Sequence, residues 1–216
     1  MKKIFLYLYP IKKYNNPFEI SATDLQQLGQ ENPYEILKEC IQKRYRENNY
    51  QIVYAIYPDK NIYGIKLQST DKIIFTDVTF EQASGYNKDG SKKCPEEIKY
   101  PNEHYLIEQL GDFDEIVVGG FHFSDCVKRI AEYCYQYGVN TLVDLDLTDL
   151  FFNVYSRKDY FKIDKYNSQD YKEFMISNLE QGFGDRKMAE RFFERKYDSV
   201  VYGFVNNEKT QALGKR

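Results

Sequence analysis

The sequence contains no tryptophan, and its four cysteines, at positions 40, 94, 126 and 134, include no C-x-x-C pair. The first absence moves the aromatic load onto 21 Tyr and 15 Phe. Tyrosine tolerates half-exposed positions because its apolar ring carries a polar tip. The second removes the usual signal for a zinc site or a dithiol redox centre, so no metal and no cofactor are expected. Cys126 and Cys134 fall eight residues apart on one expected helix, too far apart for a disulfide, and a reducing, cytoplasmic setting follows as the simplest expectation. Strong charge of one sign is also missing. With 30 Lys+Arg against 33 Asp+Glu the formal net charge is −3, which gives no electrostatic footprint for nucleic acid or an anionic membrane. No stretch reaches the ~20 apolar residues of a membrane-spanning helix. Lys2-Lys3 followed by an apolar run imitates a secretory leader, but the run stops at Pro10 and Lys12, short of the usual ~7–15 residue apolar region with a cleavage site. The partner expected by elimination is a small-molecule ligand.

What is present is organised around residues 115–150. Glu115 to Gly120 encloses an apolar run closed by two glycines, the pattern of a buried parallel strand. Ser124 is placed to cap a helix whose apolar stripe is Cys126, Val127, Ile130, Ala131 and Cys134. Gly138 is placed to end that helix, and Thr141 to Leu145 supplies the next strand. So compact a strand–helix–strand unit requires a parallel sheet and a right-handed crossover. Further strands are expected at Lys3–Tyr9, Gln51–Tyr57, Ile62–Leu67, Lys72–Val78 and Ser199–Val205. Helices are expected at about 32–48, 104–110, 169–181 and 185–197. The fold class is therefore α/β: a doubly wound, mainly parallel sheet with helices on both faces, in a three-layer Rossmann-like arrangement. At 216 residues one domain spanning 1–216 suffices. A mobile loop is expected at 82–102, rich in Gly, Lys, Ser, Asn and Pro, and a frayed tail at 206–216.

Four features of the central unit stand in one register. Val117-Val118-Gly119-Gly120 is followed by Cys126-Val127, Gly138 comes twelve residues after the cysteine, and Asp146-Leu147-Thr148 begins twenty after it. This register resembles the isochorismatase-like family of cysteine hydrolases, most clearly over residues 105–150. The resemblance implies Cys126 as nucleophile, an acid on the first strand as its base, and a lysine completing the set. It also implies a homo-oligomer. A cysteine in the first turn of a helix suits that role, because the helix dipole and free N–H groups favour a thiolate. The first strand departs from the pattern: IFLYLYPIKKY carries no carboxylate, and none occurs before Glu19. Lys93 is the lysine at a plausible distance, with Lys88, Lys92 and Lys99 competing. The family's small pair beside the nucleophile falls on His122 and Phe123, and its cis peptide falls on Phe121–His122. Any pocket is expected at the C-terminal edge of the sheet, lined by Phe121, His122, Cys126 and Tyr9. His122 is the first candidate for a substitute base.

Two alternatives accompany this reading. The chain either retains a working thiol as a divergent hydrolase of C–N or related bonds, or keeps the fold as a non-catalytic binding or assembly module. The missing strand-one acid favours the module. A third reading comes from Asp144, Asp146 and Thr148. Asp-x-Asp-x-Thr after an apolar strand resembles the nucleophile motif of haloacid-dehalogenase-type phosphatases. That motif normally opens its fold, whereas only 66 residues follow Leu150 here.

Overall fold

The computed structural model describes residues 1–12, 38, 41–148, 173, 176–177, 180, 184–190, 203–205 and 210–212. They build one seven-stranded sheet. Its strands are β1 (Lys3–Leu8), β2 (Tyr50–Ile56), β3 (Lys72–Phe75), β4 (Glu115–Gly120), β5 (Asn140–Thr148), β6 (Gly203–Val205) and β7 (Thr210–Ala212). Their order across the sheet is β3-β2-β1-β4-β5-β6-β7. Every pairing is parallel except β6 with β7. The fold class read from the pattern of elements is the one observed: a mainly parallel α/β sheet.

The order reverses direction at β1. From β1 the chain moves outward to β2 and β3, then returns to place β4 on the other side of β1. Right-handed connections then carry the Ile41–Asn48 segment and the helix after β4 to opposite faces of the sheet. With both faces covered, β1 is buried throughout: Ile4 to Leu8 are each no more than 1% exposed. This is why KIFLYL shows a continuous apolar run rather than alternation. Tyr45 at the end of the Ile41–Tyr45 turn stacks on Phe5 at 3.8 Å and 7°.

Three short helices lie before and after β4. They are α1 (Phe80–Ala83), α2 (Glu103–Glu108) and α3 (Lys128–Gln136). Thr79 starts α1 with a capping box, accepting from Gln82 N while Gln82 accepts from Thr79 N. Asn102 caps α2 by accepting from Tyr105 N at 3.1 Å. The stripe expected on α3 is the buried one: Val127, Ile130, Ala131 and Cys134 are all 4% exposed or less. A wide turn, Phe123–Val127, precedes α3, so the helix enters earlier and more loosely than a Ser124 cap implies.

Four expectations change. Residues 62–67 form no strand; Ile62 makes a single antiparallel bridge to Ile11, and Tyr63 N bonds the Pro10 carbonyl, so the segment closes over the end of β1 instead of joining an edge. Strand β5 runs nine residues, to Thr148, rather than stopping at Leu145. Its pairing with β4 jumps from Val118–Val143 to Gly120–Thr148, a large bulge that takes up the extra length. Residues 82–102 carry a 3₁₀ turn at Pro95–Glu97 and a Tyr86–Lys92 bridge. Within the polar tail, Thr210–Ala212 pairs with β6, because main-chain bonding to a sheet edge needs no apolar side chain. Of the helices expected near 32–48, 169–181 and 185–197, every described position is helical except Asp185; the remainder lies outside the described residues.

Candidate functional site

A sheet whose connections diverge on either side of one strand leaves a crevice at the C-terminal ends of the strands at that switch point. Here the switch lies between β1 and β4, and Tyr9, Phe121, His122 and Cys126 all follow the ends of those two strands.

The two strands approach unusually closely at this end. Gly120 has φ 104°, and a Cβ there would lie 2.2 Å from the Leu8 carbonyl oxygen, so only glycine fits. Phe121 N then donates to the same Leu8 oxygen at 3.1 Å. The Phe121–His122 peptide is cis, at the position the family resemblance marks. Beyond it, the His122 carbonyl accepts from both Asp125 N and Val127 N, at 3.2 and 3.1 Å, which forms the wide turn that carries Cys126. On the other side β1 leaves the sheet at Tyr9, whose φ of 54° is uncommon for a side-chain-bearing residue. Tyr9 N is held by the Ala55 carbonyl at 2.8 Å, and its ring stacks on Tyr57 at 4.4 Å and 12°.

This geometry brings the Tyr9 phenol to the Cys126 sulfur as a hydrogen-bond partner. Burial pushes the Cys126 thiol far above its ordinary value, and the neighbouring Asp125 carboxylate adds to the effect; Arg129 and the Tyr9 hydrogen bond oppose it without prevailing. Arg129 is itself divided among other partners. It pairs with Glu103, donates to the Pro101 carbonyl at 3.0 Å, lies 5.1 Å from the Tyr100 ring centre and faces Asp125 at 4.0 Å.

The other predicted residues fall as follows. Phe121 is fully buried, edge-on to Tyr7 at 6.3 Å and 85°, and belongs to the core rather than to an open lining. His122 is half-buried beside it. Lys93 donates to the Glu81 carbonyl. Asp144 is fully buried: both carboxylate oxygens accept from Arg44 Nη1, at 3.1 and 3.2 Å, one also from the Tyr45 hydroxyl and one from Leu147 N. Tyr45 reads in the sequence as part of the inner face of the 32–48 helix, but no signal there joins it or Arg44 to Asp144, since about a hundred residues separate them. A cavity of about 570 Å³ opens at the same sheet edge one strand over, lined by Ile11, Asp59, Lys60, Ile62, Tyr63 and Phe80 among others. Phe80 packs on Tyr57 at 5.7 Å, so aromatic rings run from that cavity through Tyr57 and Tyr9 to Cys126. Among the described residues no cluster of three or more His, Cys, Asp or Glu side chains is placed to hold a metal, and no helix is long and apolar enough to cross a membrane.

Fold and site together define a mainly parallel α/β protein with a cysteine-bearing turn at the switch point of its sheet. The chain resembles the isochorismatase-like hydrolases in solved structures. It is similar to an isochorismatase from Pseudomonas putida (13% identity over 68% of this chain and 70% of that one, TM-score 0.38). It is similar to an N-carbamoylsarcosine amidase from Thermoplasma acidophilum (13% over 75% and 91%, TM-score 0.40). An isochorismatase-like hydrolase from Alkaliphilus metalliredigens gives 12% over 69% and 82%, with a TM-score of 0.39. No family model matches the sequence, and no curated protein is significantly similar to it.

Proposed function

We propose that this chain is a non-catalytic, ligand-binding protein built on the isochorismatase-like plan, in which Cys126 is a neutral thiol. The observation that carries this reading is the identity of the group beside the sulfur. Where the family pattern calls for a first-strand carboxylate, this chain presents the phenol of Tyr9, and the thiol's pKa is driven up rather than down. A phenol in a desolvated site is a hydrogen-bond donor near neutral pH, not a general base. A cysteine held as the thiol lacks the nucleophile that acyl or amide chemistry needs. The same arrangement suits binding, since the aromatic row leading to the edge cavity offers flat apolar surface with polar tips.

The test is a pH titration of Cys126 alkylation, with Cys40→Ser and Cys94→Ser present so that neither of those thiols contributes. The rate should still be climbing at the highest pH the fold tolerates, because burial disfavours the charged form. Tyr9→Phe should slow alkylation further, since it removes a bond that favours the thiolate. A labelling midpoint well below ~8.5 would sink the reading. So would amide hydrolysis by the wild type that Cys126→Ala abolishes, with His122 then the first residue to test as base.

Self-association belongs to the same proposal. Tyr100, Tyr105, Tyr135 and Tyr137 expose 43–72% of their surface around α2 and α3, and tyrosine is enriched at interface cores. Sedimentation at micromolar concentration should show a species heavier than one chain; a strict monomer removes this part.

A further inference from the structure

A second cavity, of about 400 Å³, lies at the opposite edge of the sheet from Cys126, where β1 and β2 begin. It is open, and its lining includes Lys2, Lys3, Arg46, Tyr50, Gln68 and Thr70 but no acidic residue. The acids nearest to it are already matched. Asp71 sits behind Arg46, accepting from both terminal nitrogens at 2.6 and 2.8 Å and from Gln68 N at 2.9 Å. Glu115 sits behind Tyr50, accepting from its hydroxyl and from Asn140 Nδ2. Asp114 accepts from the backbone N of Lys2.

Lys2 Nζ is turned to the Leu110 carbonyl, outside the lining. Among the described residues the Lys3 ammonium makes no ion pair; its contact is the Tyr50 ring, 5.2 Å away, and Glu115 lies opposite it in the strand register. Arg46 and Asp71 cancel, but the Asp71 fork fixes the guanidinium in place, beside the Tyr54 hydroxyl, and leaves N–H groups for another acceptor. The side chains of Gln68 and Thr70 make no other hydrogen bond among the described residues. The result is a concave site with the Lys3 ammonium, a pre-positioned guanidinium, amide and hydroxyl donors, and one aromatic wall.

We propose that this cavity binds a small phosphate ester. A phosphate monoester carries about −1.5 to −2 charge near neutral pH and three strong acceptor oxygens, which suit an ammonium, a guanidinium and several neutral donors lining one concavity. A carboxylate offers only two oxygens and a single charge to the same donors. The site stands apart from the Cys126 crevice, and the proposal is independent of whether that thiol reacts.

The experiment uses the full chain with inorganic phosphate and pyrophosphate as probes, followed by calorimetry. Saturable binding is expected, tighter for pyrophosphate, and weakening as salt rises because the attraction is screened. Lys3→Gln should weaken it by about tenfold or more, and Gln68→Glu, which places a negative charge in the lining, should abolish it. An arm without variants covers the case in which either misfolds. In the wild type, saturating pyrophosphate should protect Lys3 from amine acetylation, read by mass spectrometry, while exposed Lys92 reacts as before. Absence of saturable binding overturns the proposal. So do variants that bind like the wild type, and so does Lys3 acetylation unchanged by pyrophosphate.

Discussion

Gly120→Ala is expected to lose about 4 kcal/mol of stability or more, enough to leave a substantial part of the chain unfolded. Two effects combine there. The backbone sits at φ 104°, where a Cβ is strained whatever the space, and that Cβ would also lie 2.2 Å from the Leu8 oxygen and 2.6 Å from its nitrogen. The atoms in the way are the backbone of β1 at the centre of the sheet, which cannot swing aside as a side chain would. Gly138→Ala separates the two effects. Gly138 also has a positive φ, of 79°, but nothing lies within 4 Å of the added carbon, so it should cost only about 1 kcal/mol. Urea denaturation of both proteins provides the comparison. Equal losses would show that the approach of β1 to β4 is looser than described, and with it the placement of Tyr9 against Cys126.

Asp144→Ala is the second large effect, about 3–5 kcal/mol. The carboxylate is fully buried and holds Arg44, Tyr45 and the Leu147 amide at once. Removing it takes from a guanidinium that is only 13% exposed the buried carboxylate it pairs with. The loss reflects that abandoned charge more than any net benefit of the pair, so Asp144→Ala combined with Arg44→Met should recover much of it. Simple addition of the two single losses would contradict the pairing. The same bonds make Asp144 a tie between distant elements: Arg44 and Tyr45 come from the connection between β1 and β2, and the Leu147 amide from β5 itself.

The parts of the fold legible in the sequence were those fixed by local chemistry. Ile4–Leu8 and Ile116–Val118 read as buried parallel strands because both their faces are covered, and that condition produces continuous apolar runs. The α3 stripe was legible because helical periodicity writes the buried face into the spacing. The short β7 was not, since its pairing rests on main-chain bonds that polar side chains neither require nor reveal. Nor was the failure of 62–67 as a strand, where the apolar residues instead cover the end of β1.

For the candidate site the division is sharper. The sequence by itself determined that a cysteine would follow the central strand at the start of a helix, and that no carboxylate would come from the first strand to meet it. It also marked Tyr9 and the Phe121–His122 bond as neighbours of that cysteine. Only the tertiary structure decided that cysteine's surroundings. The close approach of β1 to β4 at Gly120 and the wide turn from His122 to Val127 set Cys126 against the Tyr9 phenol. The pairing of Asp144 with Arg44 and the gathering of Lys2, Lys3 and Arg46 at the far edge were likewise decided only in three dimensions. The physical reason is the same in each case. Charge, burial and hydrogen-bond partners depend on residues brought together from distant parts of the chain, whereas spacing along the chain records only which face each residue turns inward.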